Sequence, residues 1–124
     1  MAAESLPKKL VIAKLVMGSK GAKFNEAVQQ LADLTIERLA GLGDIEAKKM
    51  FGGMGLFGDG KMFGMFTSDG EIYFKVDDSL LESRLALGAE KHKKMPYATV
   101  PDQVQEDQEL LRSWAAESMA LAQS

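Results

Sequence analysis

The chain contains no cysteine, and it has only one histidine and three prolines in 124 residues. The absence of cysteine excludes disulfides, thiol nucleophiles and zinc sites with cysteine ligands. A single histidine, His92, cannot form a histidine-rich metal site, and its neighbours in the sequence are lysines. We can assemble neither a Ser-His-Asp triad nor a glycosidase-like carboxylate pair from the sequence. We therefore expect no enzymatic activity, no metal and no cofactor.

Long apolar runs are also absent. No segment approaches the ~18 apolar residues that a membrane-spanning helix needs. The run from Leu10 to Met17 is interrupted by Lys14, and no convincing signal-peptide cleavage site follows it. We expect a mature chain that starts near Met1 and stays in the cytoplasm.

Positive charge outnumbers negative charge only in the first residues of the chain. Residues 1–23 hold five lysines against Glu4, a net charge of +4, so the total of −3 leaves −7 for the remaining residues. This asymmetry divides the chain into a basic N-terminal extension over 1–23 and an acidic domain over 24–124. Because an acidic body binds phosphate backbones poorly, we do not expect direct DNA binding.

Apolar residues at helical spacing predict helices over 5–17, 24–42 and 107–122, and the capping-box pattern Ser79-Leu-Leu-Glu82 predicts a short helix before Gly88. Three or four strands are expected up to Val76, with a bulge or wide turn before Gly53, and an edge strand over 95–100. The sequence therefore predicts an α+β fold. Its antiparallel meander of four to five strands is packed by helices on one face, in the order α-β-β-β-β-α-β-α, after an N-terminal helical extension.

The dipeptides Asp59-Gly60 and Asp69-Gly70 are typical of two-residue hairpin loops, and together they predict the strand registers. Gly55 then faces Gly64, and Phe66 faces Tyr73. Alternation assigns to the core face Met54, Leu56, Phe63, Met65, Ile72, Phe74 and Val76. The other face would be a glycine hollow between aromatic and methionine walls, formed by Gly55, Phe57, Met62, Gly64, Phe66, Tyr73 and Lys75. We interpret this second face as a candidate interaction surface, although coverage by the N-terminal helix or a self-contact remains an alternative.

Three other motifs are weaker. Residues 53–58 match G-x-G-x-x-G, but the predicted hairpin gives the glycines no following helix N-terminus to bind a pyrophosphate. The carboxylates of Asp77 and Asp78 precede a predicted helix, where they favour the helix dipole. The lysines around His92 are typical of a solvated loop, with contact to nucleic acid or to an acidic partner as the alternative.

Three segments carry a family resemblance. They are Lys49-Met-Phe-Gly-Gly-Met-Gly-Leu-Phe-Gly-Asp-Gly-Lys-Met-Phe63, Asp69-Gly-Glu-Ile-Tyr-Phe-Lys-Val-Asp77, and Met95-Pro-Tyr-Ala-Thr-Val-Pro101 followed by Leu110-Leu-Arg-Ser-Trp-Ala115. Over roughly residues 24–122 the chain resembles the N-terminal domain of the TfoX/Sxy family. The resemblance implies helices against an antiparallel sheet, without known catalytic residues.

Characterised members of that family regulate competence genes alongside a cyclic-AMP receptor transcription factor. The larger regulators carry a second, C-terminal helical domain, which we expect to be missing here. Residues 89–95 are too short for the usual two-stranded hairpin, so we expect one strand or an abbreviated pair.

We predict a non-enzymatic regulatory or protein-interaction domain, with a transcriptional accessory as the role that the resemblance implies. The expected partner is a protein, with transcription machinery as one candidate and a homodimer as another. A small-ligand or nucleotide-binding domain that uses the glycine hollow is the first alternative, and a weak DNA-binding accessory is the second.

Overall fold

The structure is a computed structural model that describes residues 22–50 and 52–124. The predicted helix over 5–17 and nearly all of the basic extension lie outside these residues. The described elements are α1 Ala22–Arg38, β1 Ile45–Met50, β2 Gly53–Gly58, β3 Lys61–Phe66, β4 Ile72–Lys75, α2 Asp78–Leu85, β5 Tyr97–Thr99, α3 Asp102–Gln105 and α4 Gln108–Gln123. This order confirms the predicted α+β fold, and the short helix α3 is an addition to it.

One antiparallel sheet holds the five strands in the order β1-β2-β3-β4-β5, which is the predicted meander. Helices α1 and α4 pack on the same face of this sheet. The buried cluster between them includes Val28, Leu31, Leu56, Phe63, Phe74, Leu111 and Trp114. Burial of these apolar side chains is the main stabilising contribution to the fold.

Helix α1 ends at Arg38, earlier than the predicted residue 42. A turn follows, in which Gly41 adopts a φ of 93° that a residue with a Cβ atom rarely tolerates. The guanidinium of Arg112 on α4 donates to the carbonyl oxygens of Arg38 and Ala40 at 2.9 and 2.8 Å. These hydrogen bonds satisfy carbonyl groups at the end of α1 and join the two helices.

The Asp59-Gly60 dipeptide forms the predicted two-residue loop between β2 and β3. Both residues have positive φ, 50° and 86°, as a type I′ turn requires. Beside the turn, Phe57 pairs with Met62 as predicted. The Asp59 carboxylate also accepts a hydrogen bond from the backbone N–H of Asp44 at 3.0 Å, which joins the turn to the start of β1.

A β-bulge in β3 changes the register beyond that first pair. Gly55 lies opposite Met65 rather than Gly64, because the register shifts between Leu56 and Phe57. Phe63 is the extra residue of β3, and its side chain is fully buried in the core. The predicted pairing of the two glycines is therefore wrong.

The second hairpin loop has three residues, Ser68 to Gly70, rather than the predicted two. The backbone N–H of Thr67 donates to the Glu71 carbonyl at 2.9 Å, and Gly70 has a φ of 88°. A three-residue loop that ends in a left-handed glycine is a common hairpin connection. It shifts the register by one, so that Tyr73 pairs with Met65 instead of Phe66.

After these two shifts, the residues of β2 and β4 keep their predicted faces. Gly64, Met65 and Phe66 of β3 lie on the face opposite to the predicted one. Phe66 was predicted on the outer face but is buried in the core, 5% exposed. Gly64 was also predicted outside but faces the core, because a Cβ atom there would lie 3.0 Å from the Phe74 ring and 3.3 Å from the Leu56 side chain. Met65, predicted in the core, lies on the outer face and is half-buried.

Both helix caps come from aspartate. Asp107 caps α4, accepting hydrogen bonds from the N–H groups of Glu109 and Leu110. The cap of α2 is Asp77 rather than Ser79, since its carboxylate accepts from the Leu80 N–H at 2.8 Å. The expected structural role of the acidic pair at this junction is thus confirmed for Asp77.

The edges of the sheet differ from each other. Strand β1 pairs with β2 in continuous register from Ile45–Gly58 to Met50–Gly53, so the bulge or wide turn expected before Gly53 is wrong. Strand β5 is the predicted edge strand. An isolated bridge from Lys91 to Ala98 lies beside it, which is the abbreviated pair expected for the short 89–95 segment.

Candidate functional site

The sheet face that points away from α1 and α4, called the open face here, carries a half-buried apolar surface. Its side chains come from alternate residues of the central strands, which β-strand geometry places on one side. They are Phe57 of β2, Met62 and Met65 of β3, and Tyr73 and Lys75 of β4. In the described part of the chain, the main buried cluster uses the opposite face of the sheet.

Two lysines lie over aromatic rings on the open face. The Nζ of Lys48 is 5.0 Å from the ring centroid of Phe57, and the Nζ of Lys75 is 5.8 Å from that of Tyr97. Such cation–π contacts keep the positive charge near solvent while the aliphatic stem covers apolar surface. This half of the open face is therefore both apolar and positively charged.

The predicted glycine hollow is not present. Met50 and Phe57 occupy the space above Gly55, since a Cβ atom added to Gly55 would collide with Met50 and lie 3.0 Å from the Phe57 ring. Gly64, the other half of the proposed hollow, faces the core. The G-x-G-x-x-G segment is strand β2, and its glycines allow close packing rather than forming a phosphate loop.

A groove of about 340 Å³ lies at the end of the sheet that holds the β3–β4 turn, and it is rich in methionine. We call it the methionine groove, and its lining residues are Met50, Met54, Met62, Met65, Met95, Phe66, Thr67, Ser68 and His92. Thioether side chains are flexible and polarisable, so they adapt to apolar partners of different shapes. The groove continues the apolar surface of the open face.

His92 connects the groove to the open face. Its ring meets that of Tyr73 edge-on, with 5.5 Å between centroids, and its Nδ1 accepts a hydrogen bond from the Lys94 N–H at 3.1 Å. The ammonium of Lys91 donates to the carbonyl oxygens of His92 and Met95. Part of the lysine run therefore braces the loop that carries His92 and Met95, rather than serving only as a solvated charge.

Both tyrosines of the face remain neutral near physiological pH. Burial raises the pKa of Tyr73, and the carboxylates of Glu71, Glu90 and Asp69 raise it further. Burial also raises the pKa of Tyr97, whose hydroxyl donates to the Met62 carbonyl at 3.4 Å. The three carboxylates around Tyr73 form an acidic rim next to the methionine groove.

Five of the seven residues predicted for the interaction surface lie on the open face: Gly55, Phe57, Met62, Tyr73 and Lys75. Gly64 and Phe66 face the core, for the register reasons given above, although Phe66 also lines the methionine groove. Sequence reasoning missed Met65, Met50, His92 and Met95. The spacing of Asp69-Gly70 left the three-residue loop open as an option, and that loop would have placed Met65 correctly.

Other site types find no support among residues 22–50 and 52–124. No group of three or more His, Asp or Glu side chains there could hold a metal ion. Within the same residues, no helix is long and apolar enough to cross a membrane.

Comparison with models of known protein families gives a match over most of the chain. The model of the TfoX N-terminal domain matches residues 37–122, from the last turn of α1 to the last turn of α4, and so includes the whole sheet and the open face. A search of curated proteins found no match for the chain.

Proposed function

The chain belongs to the TfoX N-terminal domain family, which is related to competence regulation, and from this premise we propose that it is a non-enzymatic protein-interaction domain. The open face is the surface that binds the partner. A transcriptional accessory is the regulatory role that the family relationship favours.

The observation that supports this proposal is the apolar surface outside the core. Phe57, Met62, Met65 and Tyr73 stay half-buried on a sheet face opposite the helices. Contiguous apolar patches of this kind on soluble proteins mark interaction sites more often than isolated exposed residues do. Aromatic and methionine side chains are also enriched where proteins bind one another.

The composition of the open face indicates how a partner would bind. The aromatic and methionine side chains supply apolar contact, and Lys48 and Lys75 supply positive charge at its border. A partner with an apolar side chain flanked by acidic groups would match both features. The rigid five-stranded sheet holds these groups in place, which lowers the entropic cost of binding.

A single substitution tests the proposed surface. We expect Tyr73→Asp to weaken self-association or partner capture strongly, because it adds a negative charge beside Asp69, Glu71 and Glu90 and removes an aromatic contact. The fold should be retained, since Tyr73 is half-buried on the open face. Sedimentation velocity, affinity capture from the native cell and circular dichroism measure these effects.

Two control variants define the result. Leu110→Asp adds the same charge to the helix side, where Leu110 is 41% exposed, and should leave association unchanged. Phe74→Asp should unfold the domain, because it introduces a charge at a fully buried core position. Equal binding by the Tyr73 and Leu110 variants would refute the open face as the binding surface.

A further inference from the structure

We propose that a second copy of this chain pairs with strand β1, edge to edge and antiparallel, so that two domains form one continuous sheet. The inference goes beyond the proposed function, because it uses an edge of the sheet and not the open face. It depends on the direction of the backbone groups of β1 and on the order of the charges along the strand, Ile45-Glu-Ala-Lys-Lys-Met50.

The two edges of the sheet are covered differently. Beside β5, the Glu90 carbonyl accepts a hydrogen bond from the Thr99 N–H at 2.9 Å, and the His92 N–H donates to the Tyr97 carbonyl at 2.8 Å. In the part of the chain that the structure describes, no segment pairs in this way with the outer side of β1. A strand with an unpaired edge is a template on which another strand can pair.

The backbone groups that β1 presents at this edge follow from its pairing with β2. The Asp44 carbonyl, just before the strand, accepts from the Asp59 N–H at 2.8 Å and so points toward the β2 side. The register of β1 with β2 is continuous, so every second residue after Asp44 points the same way. The N–H and C=O groups of Ile45, Ala47 and Lys49 therefore point away from β2, toward the unpaired edge.

Symmetry and charge restrict how two such edges can pair. Identical edges pair antiparallel about a two-fold axis perpendicular to the sheet, which keeps each face of the sheet on its own side. The axis must then pass through a residue, and Glu46, Ala47 and Lys48 are the central choices. An axis at Glu46 or at Lys48 would place that residue opposite its own copy, and like charges directly opposite each other are destabilising. The axis through Ala47 avoids both repulsions.

In the Ala47 register the charges become complementary. Glu46 of each copy lies opposite Lys48 of the other, and both side chains are exposed in the single domain. This is the non-hydrogen-bonded type of pair, in which opposing side chains lie closest together. Ala47 pairs with its own copy and Ile45 pairs with Lys49, so the outward N–H and C=O groups of all three residues find partners. The charges on β1 thus permit one register and oppose its neighbours.

The helices leave room for this arrangement. Helix α1 packs against both β1 and β2. With strands about 4.8 Å apart, the α1 helices of two copies would lie about 10 Å from each other across the axis, a usual distance for packed helices. Because one pair of edge strands buries less surface than a standard interface of about 1,600 Å², we expect a weak dimer.

Exchange of the charges tests the register on the full chain. In sedimentation equilibrium at about 0.1–1 mM chain, we expect Glu46→Lys and Lys48→Glu each to weaken dimerisation about tenfold or more, because each variant places like charges opposite each other. An equal mixture of the two variants should dimerise about as tightly as the unsubstituted chain. In that mixture the lysines of one variant lie opposite the glutamates of the other. Circular dichroism confirms that the exposed substitutions leave the fold intact.

Amide hydrogen exchange locates the contact. The N–H groups of Ala47 and Lys49 should exchange more slowly as the chain concentration rises, because they become hydrogen-bonded in the dimer. The Lys48 N–H points toward β2 in either state and is the internal control. In the Glu46→Lys variant alone, the exchange of Ala47 should no longer depend on concentration.

A mixture of the two variants that stays monomeric would overturn the proposal, and so would exchange at Ala47 that is independent of concentration. Tyr73 lies on β4, away from this edge, so Tyr73→Asp should leave the edge dimer in place and act through the open face. Self-association that Tyr73→Asp abolishes and Glu46→Lys leaves unchanged would refute edge pairing and support the proposed function. Rescue by the mixture together with normal partner capture by the Tyr73 variant would refute only the proposed function.

Discussion

At the scale of single residues, Arg84 is the charged side chain most deeply placed in the described domain. It is 2% exposed, and its guanidinium donates to Ser118 Oγ, the Trp114 carbonyl and Glu117 Oε1, each at 3.0 Å. Its Cζ lies 4.5 Å from the centre of the Trp114 ring. Burial lowers the pKa of Arg84, and Glu117 opposes that shift. Arg84 thereby fastens α2 to α4 through packing as much as through charge.

We expect Arg84→Ala to lower the free energy of unfolding by about 3 kcal/mol, because it removes a buried side chain and its cation–π contact. Arg84→Met should recover part of this loss, since a methionine fills much of the same space. Glu117→Gln should cost less than about 1 kcal/mol, because that carboxylate is half-exposed, at 51%. Urea unfolding of the three variants measures their free energies of unfolding and so ranks the three losses. An equal loss for Glu117→Gln and Arg84→Ala would show that the ion pair, and not packing, dominates.

The burial of Arg84 was not predictable from the sequence. From the sequence, an arginine in a short helix is expected at the surface. Arg84 is enclosed only because α4 packs against α2, and the sequence does not reveal that contact. The open-face residues Phe57, Tyr73 and Lys75 were predictable, since strand alternation alone decides their side. Met65 was not, because its side depends on the bulge at Phe63 and on the length of the β3–β4 loop.

At the scale of elements, the bulge in β3 decides how the sheet is packed. Without it, alternation would turn Phe66 outward and Met65 inward. With it, Phe63, Phe66 and Phe74 all enter the core, and the rings of Phe63 and Phe74 lie 5.8 Å apart. The sequence indicated the strands, the helices and their order through periodicity and turn residues. A bulge has no comparable sequence signal, so register was the part of the fold that could not be derived.

Because the bulge turns Gly64 toward the core, a larger side chain at this position should destabilise the fold. Gly64→Ala should lower the free energy of unfolding by about 2 kcal/mol, because its Cβ would lie 3.0 Å from both the Phe74 ring and the Tyr73 carbonyl oxygen. Gly60→Asn is the matched control, as nothing lies within 4 Å of a Cβ atom there and asparagine tolerates positive φ. Gly60→Asn should lower the free energy of unfolding by less than about 1 kcal/mol. Denaturant unfolding of both variants gives the comparison. A harmless Gly64→Ala would indicate the unbulged register, in which Gly64 faces outward.

At the scale of the whole molecule, one face of the sheet is packed into the core, and the other is the face that we propose binds a partner. The core face is packed by α1 and α4, and the main buried cluster runs from Ala27 to Met119. The open face holds methionine and aromatic side chains next to an acidic rim. Because the core cluster does not draw on the open face, substitutions on the open face can change binding with little effect on folding.

Removal of residues 1–20 tests this division. The remaining chain should keep a cooperative thermal transition, because residues from Ala27 onward supply the core cluster. The deletion should lower Tm by no more than about 8 °C, the effect of roughly 1 kcal/mol in a domain of this size. Differential scanning calorimetry measures the shift. Loss of the cooperative transition would instead place residues 1–20 within the folding core, because only a segment buried there could abolish it when removed.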